Sequence, residues 1–392
     1  MSLRSLQSQK QVEGGNLVSP MDRASDGAIV VFVPEIVAWG GGERVYLSLL
    51  RHLHNSGRKY RFVSYVQSVD LRPFADFPLN IETLEPKRGP LNKAMALRKF
   101  LKALPPKPKP LLFNLQSATH AFFADHRNFC VMILDTPSLL DLPGKGTRSF
   151  EFKQRVFNKL VTKALKNVDP VVATTNYMAD EMRSLWQIEP VVSRQGVHPI
   201  ELKGHYRSIQ DVDPFEIVSV CRLESNKRVD WILDAFSSLE SGSDPLSRSV
   251  NWKLTIVGDG SLASELKDQC RRLGLDKRVM FAGFVSDEEL EDIYRNTNLS
   301  LMPAVQGYGL PALEALTRRI PVVLHADSGV SEILVDSPWA RVFTGGVTNL
   351  AESIKALSVS VVRGGLANVP LPRFPTDDEW AAEVCRLCGW VS

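Results

Sequence analysis

The sequence predicts an α/β protein built from two parallel-sheet units in tandem. Three observations carry this expectation. Dense apolar runs without polar alternation recur, such as AIVVFV at residues 28–33 and LSLM at 299–302; this is the pattern of strands covered on both faces. Stretches of helical length separate the runs, so strand and helix signals alternate. A polar segment, residues 198–214, interrupts the alternation, which then starts afresh. A chain of 392 residues has room for two or three domains, each with its own core.

In the first unit the strand at 28–33 runs into Gly40-Gly41-Gly42 and a helix at 43–53. Strands follow at 60–66, 111–115, 130–134 and 171–174, with helices at 92–104, 150–166 and 178–185. The second unit opens with a strand at 216–220 and continues with strands at 253–257, 279–282, 299–302 and 321–324. Its helices are expected at 228–239, 261–273, 287–295 and 310–317. Residues 1–26 are polar, lack the apolar stretch of a signal peptide and read as a mobile tail. The domains are then 27–200 and 215–370, joined by a linker at 201–214 and followed by a closing segment at 371–392.

Hydrophobic content of 44% and charged content of 23% are ordinary for a soluble globular protein. A net charge of +3 is too small for a nucleic-acid coat. Five cysteines are an odd number for a disulfide framework and suit a reducing, cytoplasmic setting. Cys385 and Cys388 have the spacing of half a zinc site, but no second pair accompanies them, and no metal is expected. No apolar run reaches the roughly 18 residues of a spanning helix.

Four strand exits in the second unit hold residue types that bind ligands. Arg222 and Lys227 are cations between a strand and a helix, a combination suited to a diphosphate or to a plain solvated loop. Gly258-Asp259-Gly260 and Gly283-Phe284-Val285 follow the next two strands and permit close backbone approach, the latter toward a base. Gln306 stands at the fourth exit, followed by Gly307-Tyr308-Gly309-Leu310, whose amides open a helix. Glu314, on that helix, has the two acceptor oxygens that a ribose diol needs, or pairs with a cation on a helix face.

Taken in order, Arg222-x4-Lys227, GDG at 258, FAGFVSDEELEDIYRNTNLSLMPA at 281, QGYGLPALEAL at 306 and GVSEIL at 329 resemble one family. It is the retaining, nucleotide-sugar-dependent glycosyltransferases of the GT-B fold, family four. GGGERVYLSLL, VVATTNYMADEM, VVSRQGVHP and FPTDDEWAAEV are similar to other parts of that family, so the resemblance covers roughly residues 28–392. It implies two Rossmann-like domains facing across a cleft, the first on the acceptor side, with a C-terminal helix crossing back to the first domain. Arg222 and Lys227 would hold the donor diphosphate, Glu314 its ribose, and Gln306 with the amides of Gly307 to Leu310 the transferred sugar. Gly258, Phe284 and Tyr308 fall in the donor-side set, and Gly41 and Gly42 face it across the cleft. No metal ion is implied, because the two cations neutralise the leaving group. The donor would be a GDP-sugar or UDP-sugar, the transferred group a hexose of mannose or glucose type. The acceptor would be a glycan or lipid-linked molecule in cell-envelope or polysaccharide assembly.

The chain departs from the family pattern at three places. Gln306 replaces the first glutamate of a Glu-(seven residues)-Glu motif; it keeps length and hydrogen bonding but drops the charge. Leu134 stands where many members have a histidine. Asp135 is the first candidate for that catalytic role, His120 the second, and His126 also lies near; a turn-capping role for Asp135 stays open. Arg319 occupies a position where glycine is common. A degenerate member that binds nucleotide sugar or a partner without turnover would fit Gln306 and Leu134. An epimerase on the same fold would need further carboxylates facing the sugar, and no clear set is present.

Residues 87–110, KRGPLNKAMALRKFLKALPPKPKP, contain no acid. Leu91, Met95, Leu97, Phe100, Leu101 and Leu104 interleave with Lys93, Arg98, Lys99 and Lys102. Such a segment packs on its own sheet or lies on an anionic membrane surface, which would make the protein peripheral at the inner face.

Overall fold

The computed structural model describes residues 27–37, 39–123, 128–134, 148–200, 213–240 and 250–391. The expected tail, linker, Asp135 and His126 lie outside the described residues. Two parallel sheets carry the architecture. In the first unit β1 (Ile29–Ile36) leads into α1 (Gly41–Asn55), β2 (Tyr60–Gln67), β3 (Ile81–Thr83), α2 (Pro90–Lys102), β4 (Leu111–Phe113) and α3 (Asn114–Phe123). Then come β5 (Cys130–Ile133), α4 (Arg148–Leu165), β6 (Val171–Ala173), α5 (Asn176–Trp186) and β7 (Val191–Val192). The seven strands are ordered β3-β2-β1-β4-β5-β6-β7.

The second unit begins with β8 (Phe215–Val220) and α6 (Val229–Glu240), followed by β9 (Trp252–Val257), α7 (Ala263–Arg272), β10 (Val279–Gly283) and α8 (Asp287–Arg295). Next are β11 (Leu299–Met302), α9 (Leu310–Thr317), β12 (Val322–His325), α10 (Ser331–Leu334), β13 (Ala340–Phe343) and α11 (Val347–Val362). Six strands are ordered β10-β9-β8-β11-β12-β13. The pairings are parallel throughout, for example Val31 against Phe62 and Ile217 against Leu254. Apolar side chains fill both faces of each sheet, which is why the strands read as continuous apolar runs.

The last helix, α12 (Asp377–Leu387), returns to the first unit. Thr376 and Glu379 form a capping box at its start. Trp380, Val384, Cys385 and Cys388 join the core cluster that contains Ile29, Leu50 and Phe113. Asp377 accepts from Arg51 at 3.0 Å and lies 3.1 Å from His198. The Cys-x2-Cys pair therefore forms the buried face of a helix. No group of three or more His, Cys, Asp or Glu among the described residues is placed to hold a metal ion.

The elements differ from the sequence expectation in instructive ways. Helix α1 starts at Gly41, so the glycine loop supplies its first turn. The strand at 111–115 stops at Phe113 because Asn114 takes a left-handed φ of 65° and turns the chain into α3. Arg319 also has a left-handed φ, 59°. Its amide bonds Leu316 and the Ile320 amide bonds Ala315, which is the double closure that ends a helix with its last residue left-handed. Glycine suits that position because it has no Cβ to clash. Arg319→Gly should stabilise the protein by roughly 0.5–1 kcal/mol; an unchanged or lower unfolding midpoint in urea would show that the arginine side chain compensates.

Candidate functional site

In an open parallel sheet, ligands collect beyond the carboxyl ends of the strands where the strand order reverses. The second sheet reverses between β8 and β11, the first between β1 and β4. The loops leaving β8 and β11 hold Arg222 to Lys227 and Pro303 to Gly309. The loop leaving β1 leads into the first residues of α1, which include Gly41, Gly42 and Arg44.

Hydrogen bonds tie the exits of the second sheet to one another. The Val305 amide donates to the Asn226 carbonyl at 2.8 Å, and the Asn226 side chain donates back to the Val305 carbonyl at 3.1 Å. The Leu223 amide donates to Asp259, and Ser261 donates through its hydroxyl to Glu224 at 2.7 Å. The Gly258 amide donates to Gly283 at 2.7 Å, which attaches the exit of β10. Gly258 has a φ of 124°, and a Cβ there would lie 1.9 Å from the Cys221 carbonyl oxygen. Its glycine is thus required by the neighbouring loop, the one that presents Arg222. Burial pushes the Cys221 thiol up to about 11, so no thiolate stands at this exit at neutral pH.

Lys227 donates from Nζ to Gln306 Oε1 at 2.6 Å. The Gln306 amide nitrogen donates to Ser328 Oγ at 3.1 Å and lies 2.9 Å from Met302 Sδ. Ser328 Oγ in turn donates to the Tyr308 carbonyl at 3.0 Å. Both ends of the Gln306 side chain are thus engaged inside the loop cluster. Arg222 is solvent-exposed close by, and Arg228 fixes the same turn through Asp327 at 3.0 Å and the Trp231 ring at 4.4 Å.

The two units meet at these exits. A Cβ on Gly307 would lie 2.4 Å from the Leu134 carbonyl oxygen. Thr175, which caps α5 through the Met178 amide, also donates to the Gly307 carbonyl at 3.4 Å. Glu332 of the second unit accepts from the Asn176 amide at the start of α5, at 2.9 Å, and from Arg194 at 3.0 Å. Tyr308 is buried and donates to the Gln195 carbonyl at 2.6 Å, so its ring serves the junction between the units. Glu314 accepts from Arg44 Nη1 at 2.7 Å, with the two side chains 14% and 34% exposed. The Glu314 carboxylate raises the Arg44 pKa above its ordinary value, against the opposing effect of burial.

The remaining expected residues are placed as follows. Phe284 is exposed beside Gly283. Leu310 opens α9 and packs against core clusters of both units. Gly41 is exposed, with no atom near the position of a Cβ, and Gly42 faces only the Tyr46 ring. His120 is buried with its Nδ1 2.9 Å from the Tyr65 hydroxyl. Burial, then Lys93, hold its pKa down at about 4, so the ring is neutral at neutral pH. Arg44 was not among the candidates, although a cation two residues after a glycine triplet marks it.

Residues 206–358 match the family described as glycosyl transferases group 1. Mannosylfructose-phosphate synthase of Agrobacterium fabrum is 27% identical over 46% of this chain and 42% of its own length. The GDP-mannose-dependent alpha-(1-6)-phosphatidylinositol dimannoside mannosyltransferase of Mycobacterium tuberculosis is 28% identical over 43% of this chain and 44% of its own. The matches thus span less than half of these curated relatives. The crystal structure of WaaG, a glycosyltransferase involved in lipopolysaccharide biosynthesis, superposes with a TM-score of 0.69 at 15% identity, covering 92% of this chain and 100% of that one. Residues 206–358 of the second unit thus match the group 1 glycosyl transferases, and the two Rossmann-like sheets have the GT-B fold of the solved neighbour.

Proposed function

We propose that the protein transfers a hexose from a GDP- or UDP-linked sugar to a glycan or lipid-linked acceptor, with retention of configuration. The observation that carries this reading is that Arg222 and Lys227 stand on one loop at the switch point of the second sheet, and that Lys227 bonds Gln306 on the other loop, which leads into α9 and Glu314. Two cations beside helix-opening amides would hold a diphosphate. As the bond from the anomeric carbon to the phosphate oxygen breaks, negative charge grows on the diphosphate, and fixed cations stabilise that state without reorganising. Glu314 would accept the two ribose hydroxyls, and Phe284 would lie against the base. The named relatives favour a mannosyl donor, and retention rests on the family resemblance.

A second reading, nucleotide-sugar binding without turnover, is favoured by the Gln306 side chain. Its amide is committed to Lys227 and Ser328, while in the family pattern a carboxylate stands there.

The acceptor side has its own feature. Leu97 and Leu101 of α2 are buried and Phe100 lies under Arg61, so much of the amphipathic segment packs on the first sheet. Leu91 and Met95 nevertheless remain exposed beside Arg98, Lys99 and Lys102, and Phe152 and Val156 are exposed on α4. This apolar and basic face would meet an anionic membrane carrying the acceptor. No helix among the described residues is long and apolar enough to cross a membrane.

These readings have direct tests. In a thermal-shift screen against GDP-mannose, GDP, UDP-glucose, UDP-N-acetylglucosamine and UDP, one base series should raise the melting temperature by a few degrees at saturating ligand; no shift at millimolar ligand would remove the donor site. Gln306→Glu places a carboxylate on Lys227 and removes the amide proton given to Ser328. We expect about tenfold weaker binding of the nucleoside diphosphate by calorimetry, equivalent to about 1.4 kcal/mol; tighter binding together with faster turnover would show that the charge was missing. Replacing both Leu91 and Met95 with serine should reduce co-sedimentation with phosphatidylglycerol vesicles severalfold and leave folding intact; unchanged co-sedimentation would exclude α2 as the contact.

A further inference from the structure

Arg44 sits in the first turn of α1, where the amides already carry partial positive charge. A cation gains nothing from its own helix there. Its strongest partner lies in the other unit: Glu314 Oε1, at 2.7 Å. Asp287 is a second, looser partner at 3.6 Å, and the guanidinium lies 5.6 Å from the Trp39 ring, which is itself stacked on Phe74. Behind the pair, the Tyr294 hydroxyl is buried without a hydrogen-bond partner among the described residues, and the ring stacks under Arg318 at 4.7 Å. Arg318 does not compete for Glu314, because its guanidinium is bound to Glu291 and to the Glu314 backbone carbonyl.

From this arrangement we infer that Arg44 is a latch that a nucleotide must displace: it occupies the Glu314 carboxylate in the ligand-free protein and joins the two units there. The inference rests on the proposed role of Glu314 as the ribose acceptor. A carboxylate oxygen bonded to a guanidinium at 2.7 Å cannot at the same time offer its best geometry to a ribose diol. Nucleotide binding then exchanges one cross-cleft ion pair for two hydroxyl contacts. The measured affinity is the intrinsic affinity reduced by the stability of the latch. Arg44 is thereby a positioning residue that sets donor affinity and the ease with which the units separate.

The test is a double-mutant cycle read by calorimetry with UDP and GDP on the full chain. Arg44→Ala should bind the preferred nucleotide about two- to fivefold more tightly than the unaltered protein, the range a single partly exposed ion pair supplies. Arg44→Lys, which keeps the charge but loses the fork, should fall between them. In a Glu314→Gln background the gain from Arg44→Ala should vanish, which a merely structural role for Arg44 would not produce. Equal or weaker binding by Arg44→Ala, with the unaltered protein binding normally, would overturn the latch and leave the donor site standing. Binding by Arg44→Ala alone would support it. No binding of either nucleotide by any variant would overturn both the latch and the donor reading.

Discussion

Backbone-to-backbone approach at a few glycines is the constraint on which the rest of the molecule depends. A Cβ on Gly329 would lie 2.0 Å from the Gly307 carbonyl oxygen and 2.7 Å from a Thr175 methyl, and one on Gly307 would meet Leu134. A Cβ on Gly196 would lie 1.9 Å from the Thr376 carbonyl oxygen. The first two sites set how closely the β11 exit meets the first unit; the third sets how the strap before α12 crosses behind it. Real Cβ atoms do not make such contacts, so an alanine at any of these positions forces main chain apart. The separation of the two switch points, and hence the reach of Arg44 to Glu314, is fixed by these contacts before any side-chain chemistry is considered.

The polar groups follow from that closeness. Bringing two strand-exit faces together buries amides and carbonyls that water would otherwise satisfy. Glu332 answers the open amides of α5, Tyr308 answers the Gln195 carbonyl, and Gln306 spans Lys227 and Ser328. The amide at 306 suits this role because it donates and accepts at once. A carboxylate has no proton for Ser328, whose own proton is given to Tyr308. It would also offset the charge of Lys227.

Much of this was legible in the sequence, and the exceptions have physical reasons. β11 and α8 have the bounds expected from the sequence, because each is set by local signals, an apolar run for β11 and the Ser286–Glu289 capping box that the structure shows for α8. The edge strands β3 and β13 were missed: each is short and half-exposed, so neither shows the continuous apolar run of a covered strand. α11 was missed because VTNLAESIKALSVSVV is rich in serine and β-branched residues, and its helicity comes from packing on α6 and β13. Arg319 was noticed as unusual, but its left-handed backbone could not be seen without the neighbouring amides. The positions of the second unit's candidate residues at strand exits were legible because each follows an apolar run in chain order. The partner of Glu314 was not, because it lies 270 positions away.

That last omission shows where sequence reading runs out in a two-unit protein. A cation in the first turn of a helix is mildly unfavourable when judged locally, since the helix dipole repels it. Judged across the cleft it is favourable, because the carboxylate on α9 compensates both the guanidinium and the amides behind it. A residue that conflicts with its own element and is satisfied only by another one carries information about how the elements meet. Arg44 is such a residue. Its conflict also makes the contact reversible: a partly buried pair holding an otherwise unfavourable cation is weaker than the buried backbone contacts at Gly307 and Gly329. The junction between the units therefore has a firm seam at the β11 exit and a weaker one at Arg44.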